Sequence, residues 1–312
     1  MNKGLKEGIY FNLSNEDYHN DPAISCSGVK QLLDCPKKYW WNSPLNPNRE
    51  SLDTKALRLG RLYHNLLLEP EKFKDEFLVL PKGKIFKSYL KENNLEPEDV
   101  VHLTQIREPD IKEAQKAIKE IKDDSIYNDW FKGGYAEVSI FWKDIDTGLM
   151  LRCRFDYLNS NFADDYKTTQ DVGDVVRSVA TYGYNMQSCI YLRGLASLIS
   201  GEEIFISGND EQKEWFKSFK ENLSGDFKFR FLFQEKTAPY ISRAITLAND
   251  ILEPSTKVFE NALNIYLENF KKYGVKKWGS GYDETEEITF YRMPSWWGIK
   301  LEEKANINLI NI

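Results

Sequence analysis

Three short segments near the middle of the chain alternate apolar and polar residues, and they constrain the fold more than any other feature. Residues 136–142, 149–158 and 162–168 are rich in β-branched and aromatic side chains and read as a three-stranded meander. Asp146-Thr147-Gly148 supplies the turn between the first two. Such a sheet has to bury at least one face, and the surrounding sequence offers helices to cover it. Ser25 or Ser27 is placed to N-cap a helix carrying Val29, Leu32 and Leu33, which Pro36 interrupts. Residues 55–69 form a helical stripe of Leu57, Leu62, Leu66 and Leu67 closed by Pro70. Further helices are expected over 109–130, with Pro109 in the first turn, over 175–199, and over 255–273, stopped by Gly274. Segments 227–234 and 241–247 read as two more strands, and 42–53 and 71–105 as polar or mixed connections. This order predicts an α/β fold with a mixed sheet flanked by helices. We expect one domain over 1–312, with an N-terminal helical part to about residue 130 and a catalytic core from about 131.

Bulk properties exclude some classes. No stretch approaches the ~20 apolar residues needed to span a bilayer, and the N-terminus lacks the pattern of a secretory signal. A cytoplasmic protein with no membrane partner is the expectation. Cys26, Cys35, Cys153 and Cys189 are far apart with no CxxC pair, which suits four free thiols better than structural zinc. The formal charge of −6 speaks against nucleic-acid binding by bulk electrostatics. It leaves room for a metal site built of carboxylates with local basic contacts.

The stretch RCRFDYLNSNFADDYKTT (152–169) carries the chemistry. Asp165 and Lys167 are two apart on one strand and so share a face, and a hairpin brings Asp156 beside them. Two carboxylates and an ammonium at one point suit phosphodiester hydrolysis. Carboxylates hold Mg²⁺, a hard cation that prefers oxygen, and the metal acidifies a bound water and offsets charge on the phosphate. Lys167 is placed to orient the attacking water and stabilise developing charge. Glu137 on the preceding strand adds a third carboxylate, and His64 lies on the 55–69 helix one turn after Gly60. Gln187 and Tyr191 are i, i+4 on a later helix. Each also suits an ordinary role: a salt-bridged hairpin, an exposed strand position, a packed histidine, a helix flank.

The order His64, Glu137, Asp156, Asp165-Tyr166-Lys167, Gln187-x-x-x-Tyr191 resembles the PD-(D/E)xK nuclease superfamily in its RecB-like branch, and more narrowly the RecE (exonuclease VIII) type. Supporting pieces are Ile24-Ser25-x-Ser27-Gly28, Cys35-Pro36-Lys37-Lys38-Tyr39-Trp40 and Leu59-Gly60-x-x-x-His64-x-x-Leu67-Leu68-Glu69-Pro70. Asp165-x-Lys167-Thr168-Thr169, Gln234-Glu235-Lys236-x-x-Pro239-Tyr240 and Met293-Pro294-x-Trp296 complete them. The resemblance implies a Mg²⁺-dependent 5′→3′ exonuclease on double-stranded DNA, with Mn²⁺ as a substitute. It also implies phage or prophage recombination beside a single-strand annealing protein, with homo-oligomers known among relatives. On this resemblance Asp156 and Asp165 are the principal metal ligands, Lys167 the catalytic lysine, and His64 and Glu137 accessory ligands. Gln187 and Tyr191 then support the site or position DNA. Phe155 stands where a Pro often precedes the first Asp.

Phosphate contacts are expected from Arg58, Arg61, Arg152 and Arg154, and more loosely from Lys82, Lys84 and Lys87. Tyr39, Trp40 and Trp41 suit either core packing or stacking on a frayed base. The competing readings are a restriction- or CRISPR-adaptation-type nuclease, an inactive DNA-binding or assembly module, and a glycoside hydrolase using Asp156 and Asp165. The last gives Lys167 and His64 no task.

Overall fold

The computed structural model describes residues 4–50, 53–223, 225 and 227–280. The Met293-Pro294-x-Trp296 motif lies outside them. The chain opens with β1 (Gly8–Tyr10), α1 (Asn15–Asn20), β2 (Ile24–Ser25), α2 (Cys26–Asp34) and α3 (Pro36–Asn42). Next come α4 (Lys55–Leu68), a 3-10 turn (Pro70–Lys72), α5 (Phe73–Glu76), β3 (Phe77–Leu80), α6 (Phe86–Asn93) and α7 (Pro97–Val100). After β4 (Thr104–Arg107) and α8 (Glu108–Asp123) come the long strands β5 (Tyr135–Lys143), β6 (Met150–Leu158) and β7 (Phe162–Thr169). The remainder is α9 (Val175–Tyr182), α10 (Tyr184–Ser200), β8 (Phe205–Ser207), α11 (Asp210–Asn222), β9 (Lys228–Glu235), β10 (Ser242–Thr246) and α12 (Asn249–Tyr273).

The meander forms the middle of a mixed sheet in the order β10-β9-β7-β6-β5-β1-β8, with β2 added alongside β6. β5 pairs antiparallel with β6, whereas β7 and β9 run parallel, as a crossover through α9 to α11 requires. One face of the sheet, with Val138, Ile140, Trp142, Cys153 and Phe231, packs on Val29 and Leu32 of α2, Ile190 of α10 and Phe259 of α12. On the other face, Tyr166 and Leu232 meet Leu62 and Tyr63 of α4 and Ile118 and Ile121 of α8. The sheet is therefore covered on both sides, as the α/β reading predicts. Gly194 lets α10 approach β5: a Cβ there lies 2.7 Å from the Trp142 ring.

Several boundaries differ from expectation for identifiable reasons. Gly183 adopts φ +62 and splits the segment 175–199 into α9 and α10. α12 starts six residues before Ser255 and carries Pro254 within it, a residue that reads as a stop in sequence. α8 ends at Asp123 rather than near 130, where Asp124 turns extended. The mixed segment 71–105 holds a small parallel pair, β3 with β4. The N-terminal part is not wholly helical, because β1 and β2 both join the central sheet. All four cysteines are buried and free. Among the described residues no helix is long and apolar enough to cross a membrane.

Candidate active site

The site forms where the β6–β7 ladder opens. The two strands pair only through Tyr157 with Asp164 and Leu158 with Ala163. Beyond that point Asp156 spends its carboxylate on the partner strand, its Oδ2 accepting the Tyr166 N–H at 2.8 Å. β6 changes phase here as well, since Phe155 and Leu158, three apart, both enter the main core, which regular alternation forbids. β5 matches it with Glu137, a non-glycine residue at φ +52 inside a strand. Left-handed backbone at such a residue costs of order 1–3 kcal/mol and persists only where its surroundings enforce it.

α4 supplies the fourth side chain from the opposite side. Thr54 caps it, its hydroxyl accepting the Leu57 N–H at 3.2 Å, and Leu62, Tyr63 and Leu67 bury one stripe. That packing sets His64 with Nδ1 3.3 Å from Asp156 Oδ2 and its ring 5.5 Å from that of Tyr166. His64, Glu137 and Asp156 each present a ligand atom within 4.8 Å of the others, the one such metal-compatible group among the described residues.

Asp165 lies next to this group, fully buried. Its Oδ2 accepts a hydrogen bond from the Gln187 amide of α10, and its Oδ1 forms an ion pair with the Lys167 ammonium. Oδ1 still lacks a well-aligned hydrogen bond. Lys167 also sits 5.3 Å from the centroid of the Tyr184 ring, a cation–π contact. The neighbouring Asp164 points to the other face, where Arg230 holds it through two bonds of 2.6 and 2.9 Å. Arg230 is itself stacked between Trp130 and Phe162.

The electrostatics are those of carboxyls crowded together in a buried setting around one ammonium. Burial, and then Asp156, raise the Glu137 carboxyl above its ordinary value of 4.5. Burial, and then Asp156, push Asp165 up to about 6. Burial also raises Asp156, against the pull of Lys167. Burial opposes the charge on Lys167, but Asp165 and Asp156 outweigh it and hold the ammonium protonated. His64 is pushed down to about 4, first by burial and then by Lys167, so it is a neutral imidazole near pH 7. A neutral imidazole and carboxylates are the donors that divalent metals take.

Of the residues expected at the site, His64, Glu137, Asp156, Asp165, Lys167 and Gln187 are brought together. Tyr191 is not: its ring stacks against Phe229 and tilts on Phe155 in the core. Arg58 and Arg61 lie on α4, Arg58 pairing with Asp53 at 3.3 Å. Arg152 is buried with its Nη1 on the Asp21 carbonyl. Arg154 donates to Ser139 at 2.7 Å and to Asn15 at 2.6 Å, with Glu137 3.7 Å away. Lys84 pairs with Glu92 at 2.6 Å. Tyr39 and Trp40 are core residues, while Trp41 is exposed. Sequence reading missed Tyr184, although it stands three residues before Gln187 on the same helix face.

A sheet that splays at paired carboxylates, with a lysine two residues on, defines the PD-(D/E)xK class of fold. The sequence comparison agrees: residues 25–207, more than half of the chain, match the family model described as a PDDEXK-like domain of unknown function (DUF3799). The chain belongs to that family. The structure is also similar to a crystal structure from Eubacterium rectale described as that of a candidate exonuclease. The TM-score is 0.54 at 16% identity, over 82% of this chain and 86% of that one. At that identity the likeness concerns the fold. No curated protein matches the sequence.

Proposed function

We propose that the chain is a metal-dependent deoxyribonuclease, an exonuclease of the RecE type acting on double-stranded DNA with 5′→3′ polarity in phage-type recombination. The observation that carries the reading is the convergence of His64, Glu137 and Asp156 beside the Asp165–Lys167 pair. The donor set fits Mg²⁺, with Mn²⁺ as a substitute: oxygen ligands dominate and one imidazole nitrogen is tolerated. His64, Glu137, Asp156 and Asp165 would hold the ion. Bound there, it supplies Lewis acidity and a nucleophilic water at neutral pH.

The chain's own residues do the rest. Lys167 stays protonated and places a positive charge where the phosphate accumulates negative charge. Gln187 and Tyr184 hold Asp165 and Lys167 in position through a hydrogen bond and a ring face. Arg58 and Arg61 contribute long-range attraction for the DNA backbone, while Arg152 and Arg154 act largely through protein contacts. A single-strand annealing protein and a second copy of the chain are the partners this reading suggests.

The test is incubation of the protein with linear duplex DNA in Mg²⁺ or EDTA, with a closed circular duplex and Lys167→Ala as controls. Metal-dependent loss of linear DNA alone, abolished in the variant, is expected. Cutting of the circle would replace the exonuclease reading with an endonuclease. Binding without cleavage in both Mg²⁺ and Mn²⁺ would favour an inactive DNA-binding module.

A further inference from the structure

Among the described residues, glycines lie within helices at Gly28 of α2, Gly60 of α4 and Gly194 of α10. Two of them have a reason inside the fold. A Cβ at Gly28 would stand 3.0 Å from the Tyr39 ring, and one at Gly194 would stand 2.7 Å from Trp142. At Gly60 a Cβ would meet nothing within 4 Å. Gly60 is not among the glycines with positive φ, so backbone conformation does not call for glycine there either. Glycine is the least favourable residue in a helix interior after proline, and Gly60 lies well inside the 14 residues of α4. Nothing in the packing of the described residues requires the residue that weakens this helix.

The side of α4 on which Gly60 opens is the side that faces the site. Leu57, Gly60 and His64 are three and four residues apart and so share one face of the helix. From that face His64 points to Asp156. Leu57, one turn before Gly60, is 46% exposed, so this stretch of the face is uncovered. α4 is also a basic element in an acidic chain. Residues 55–68 contain Lys55, Arg58 and Arg61 and no carboxylate, against a net charge of −6. Lys55 and Arg58 pair with Asp110 and Asp53 at 3.5 and 3.3 Å. Arg61, exposed and next to Gly60, has no ion-pair partner among the described residues, and its Nη1 reaches the Thr104 hydroxyl at 3.5 Å. An uncovered basic face with its main chain laid bare suits a polyanion that packs closely.

We propose that the sugar–phosphate backbone of the DNA strand being cut packs directly on the α4 main chain at Gly60, with Arg61 on an adjoining phosphate. The proposal rests on the nuclease reading and adds a contact that aligns the strand. Any side chain at position 60 would hold the strand away from the metal-binding group. His64 lies one helical turn farther on, ~5.4 Å along the axis, and stacked nucleotides advance ~3.4 Å each along a strand. The contact therefore falls one or two nucleotides from the scissile phosphate.

The test is a substitution with opposite effects on the fold and on the substrate. Gly60→Ala is expected to raise the melting temperature by about 2 °C, because alanine favours the helix and its methyl has room. The same variant is expected to bind duplex DNA about fivefold more weakly or worse in EDTA, by fluorescence anisotropy, as an extra methyl in a close contact does. Cleavage of linear duplex in Mg²⁺ should slow by about tenfold or more, since a misplacement of ~1 Å can cost ~100-fold. Gly60→Leu should weaken binding further. The thermal shift on adding Mn²⁺ should match wild type in Gly60→Ala, with His64 undisturbed. Wild-type affinity and rate in both variants overturn the contact. A lowered melting temperature or a lost Mn²⁺ shift in Gly60→Ala overturns it as well, since the space then serves the fold or the metal group. If the wild type binds duplex DNA without cutting it in Mg²⁺ or Mn²⁺, the nuclease reading falls and the affinity ratio in EDTA still decides the contact. Failure of the wild type to bind duplex DNA overturns both.

Discussion

Asp156 accepts the backbone N–H of Tyr166 at 2.8 Å at the point where strand pairing between β6 and β7 stops. A side chain thus does what a backbone carbonyl would do in a regular ladder, and the strands are free to part while no N–H is left unpaired. The same Oδ2 lies 3.3 Å from His64. The carboxylate therefore joins the mouth of the sheet to α4, and its replacement has separable consequences. Asp156→Asn is expected to keep the fold, with an amide oxygen still accepting from Tyr166, and to lose metal-dependent cleavage by 10²-fold or more, on the order of one lost electrostatic contact in the transition state. Asp156→Ala adds a loss of about 1–3 kcal/mol from the unpaired N–H. Urea titration beside a cleavage assay distinguishes the two, and equal stability of the variants would show the hydrogen bond to be dispensable.

Glu137 gives a sharper test, because its backbone and its carboxylate each cost stability and can be removed separately. At φ +52 a side chain is strained, and its charge sits among other carboxylates. Glu137→Ala removes the charge and keeps the strain, whereas Glu137→Gly removes both. The glycine variant is expected to be about 1 kcal/mol more stable than the alanine variant, and both should lose metal-induced stabilisation. A glycine variant no more stable than alanine would mean that the strand relaxes without strain in either.

How much of this could be read from the chain alone follows from where the information is stored. The meander and its carboxylates were legible because side-chain alternation and a two-residue spacing are local. The choice between Asp164 and Asp165 followed the D-x-K spacing, and its physical reason appears only in the fold: Arg230, 66 residues away, takes Asp164 on the far face. Tyr191 illustrates the converse. Helical spacing from Gln187 places it on the same side of α10, but Phe155 and Phe229 claim its ring for the core. Arg152 and Arg154 flank Asp156 in sequence, yet one is buried and the other is held by Ser139 and Asn15. Short elements such as β1 and β8 escaped because three-residue strands carry no period.

Beneath the site lies a buried relay whose removal should be felt mainly in stability. Gln234 is fully buried, accepting the Tyr166 hydroxyl at 2.6 Å and donating to the Ala117 carbonyl at 2.7 Å. It ties β7 and β9 to α8. Gln234→Leu leaves the buried Tyr166 hydroxyl without its acceptor and is expected to cost about 1–3 kcal/mol, the range for one unsatisfied buried group. Cleavage by the folded fraction should fall less than in Lys167→Ala. A denaturation midpoint unchanged from wild type would refute the relay.

The pH dependence of the metal-free protein follows from the shifts, and their signs must be combined. Asp165 is raised from 3.8 to about 6, first by burial and then by Asp156, so the folded state holds its proton longer and stability falls with pH over that interval. His64 is lowered from 6.5 to about 4, first by burial and then by Lys167, so stability rises over nearly the same interval. The two largely offset one another below pH 6.5. Above it the unfolded chain has already lost both protons. Glu137 alone of these groups still titrates in the fold, raised from 4.5 to about 8 by burial and then Asp156. The folded state then binds more protons than the unfolded one, and stability falls as pH rises from about 6.5 to 8.5. A bound divalent cation favours the charged carboxylate and reverses the trend, adding about 2.7 kcal/mol at a hundredfold excess over Kd. Melting temperatures in EDTA should thus decline across this window, and those in Mn²⁺ should hold or rise. Parallel curves with and without metal would mean that Glu137 is not a ligand.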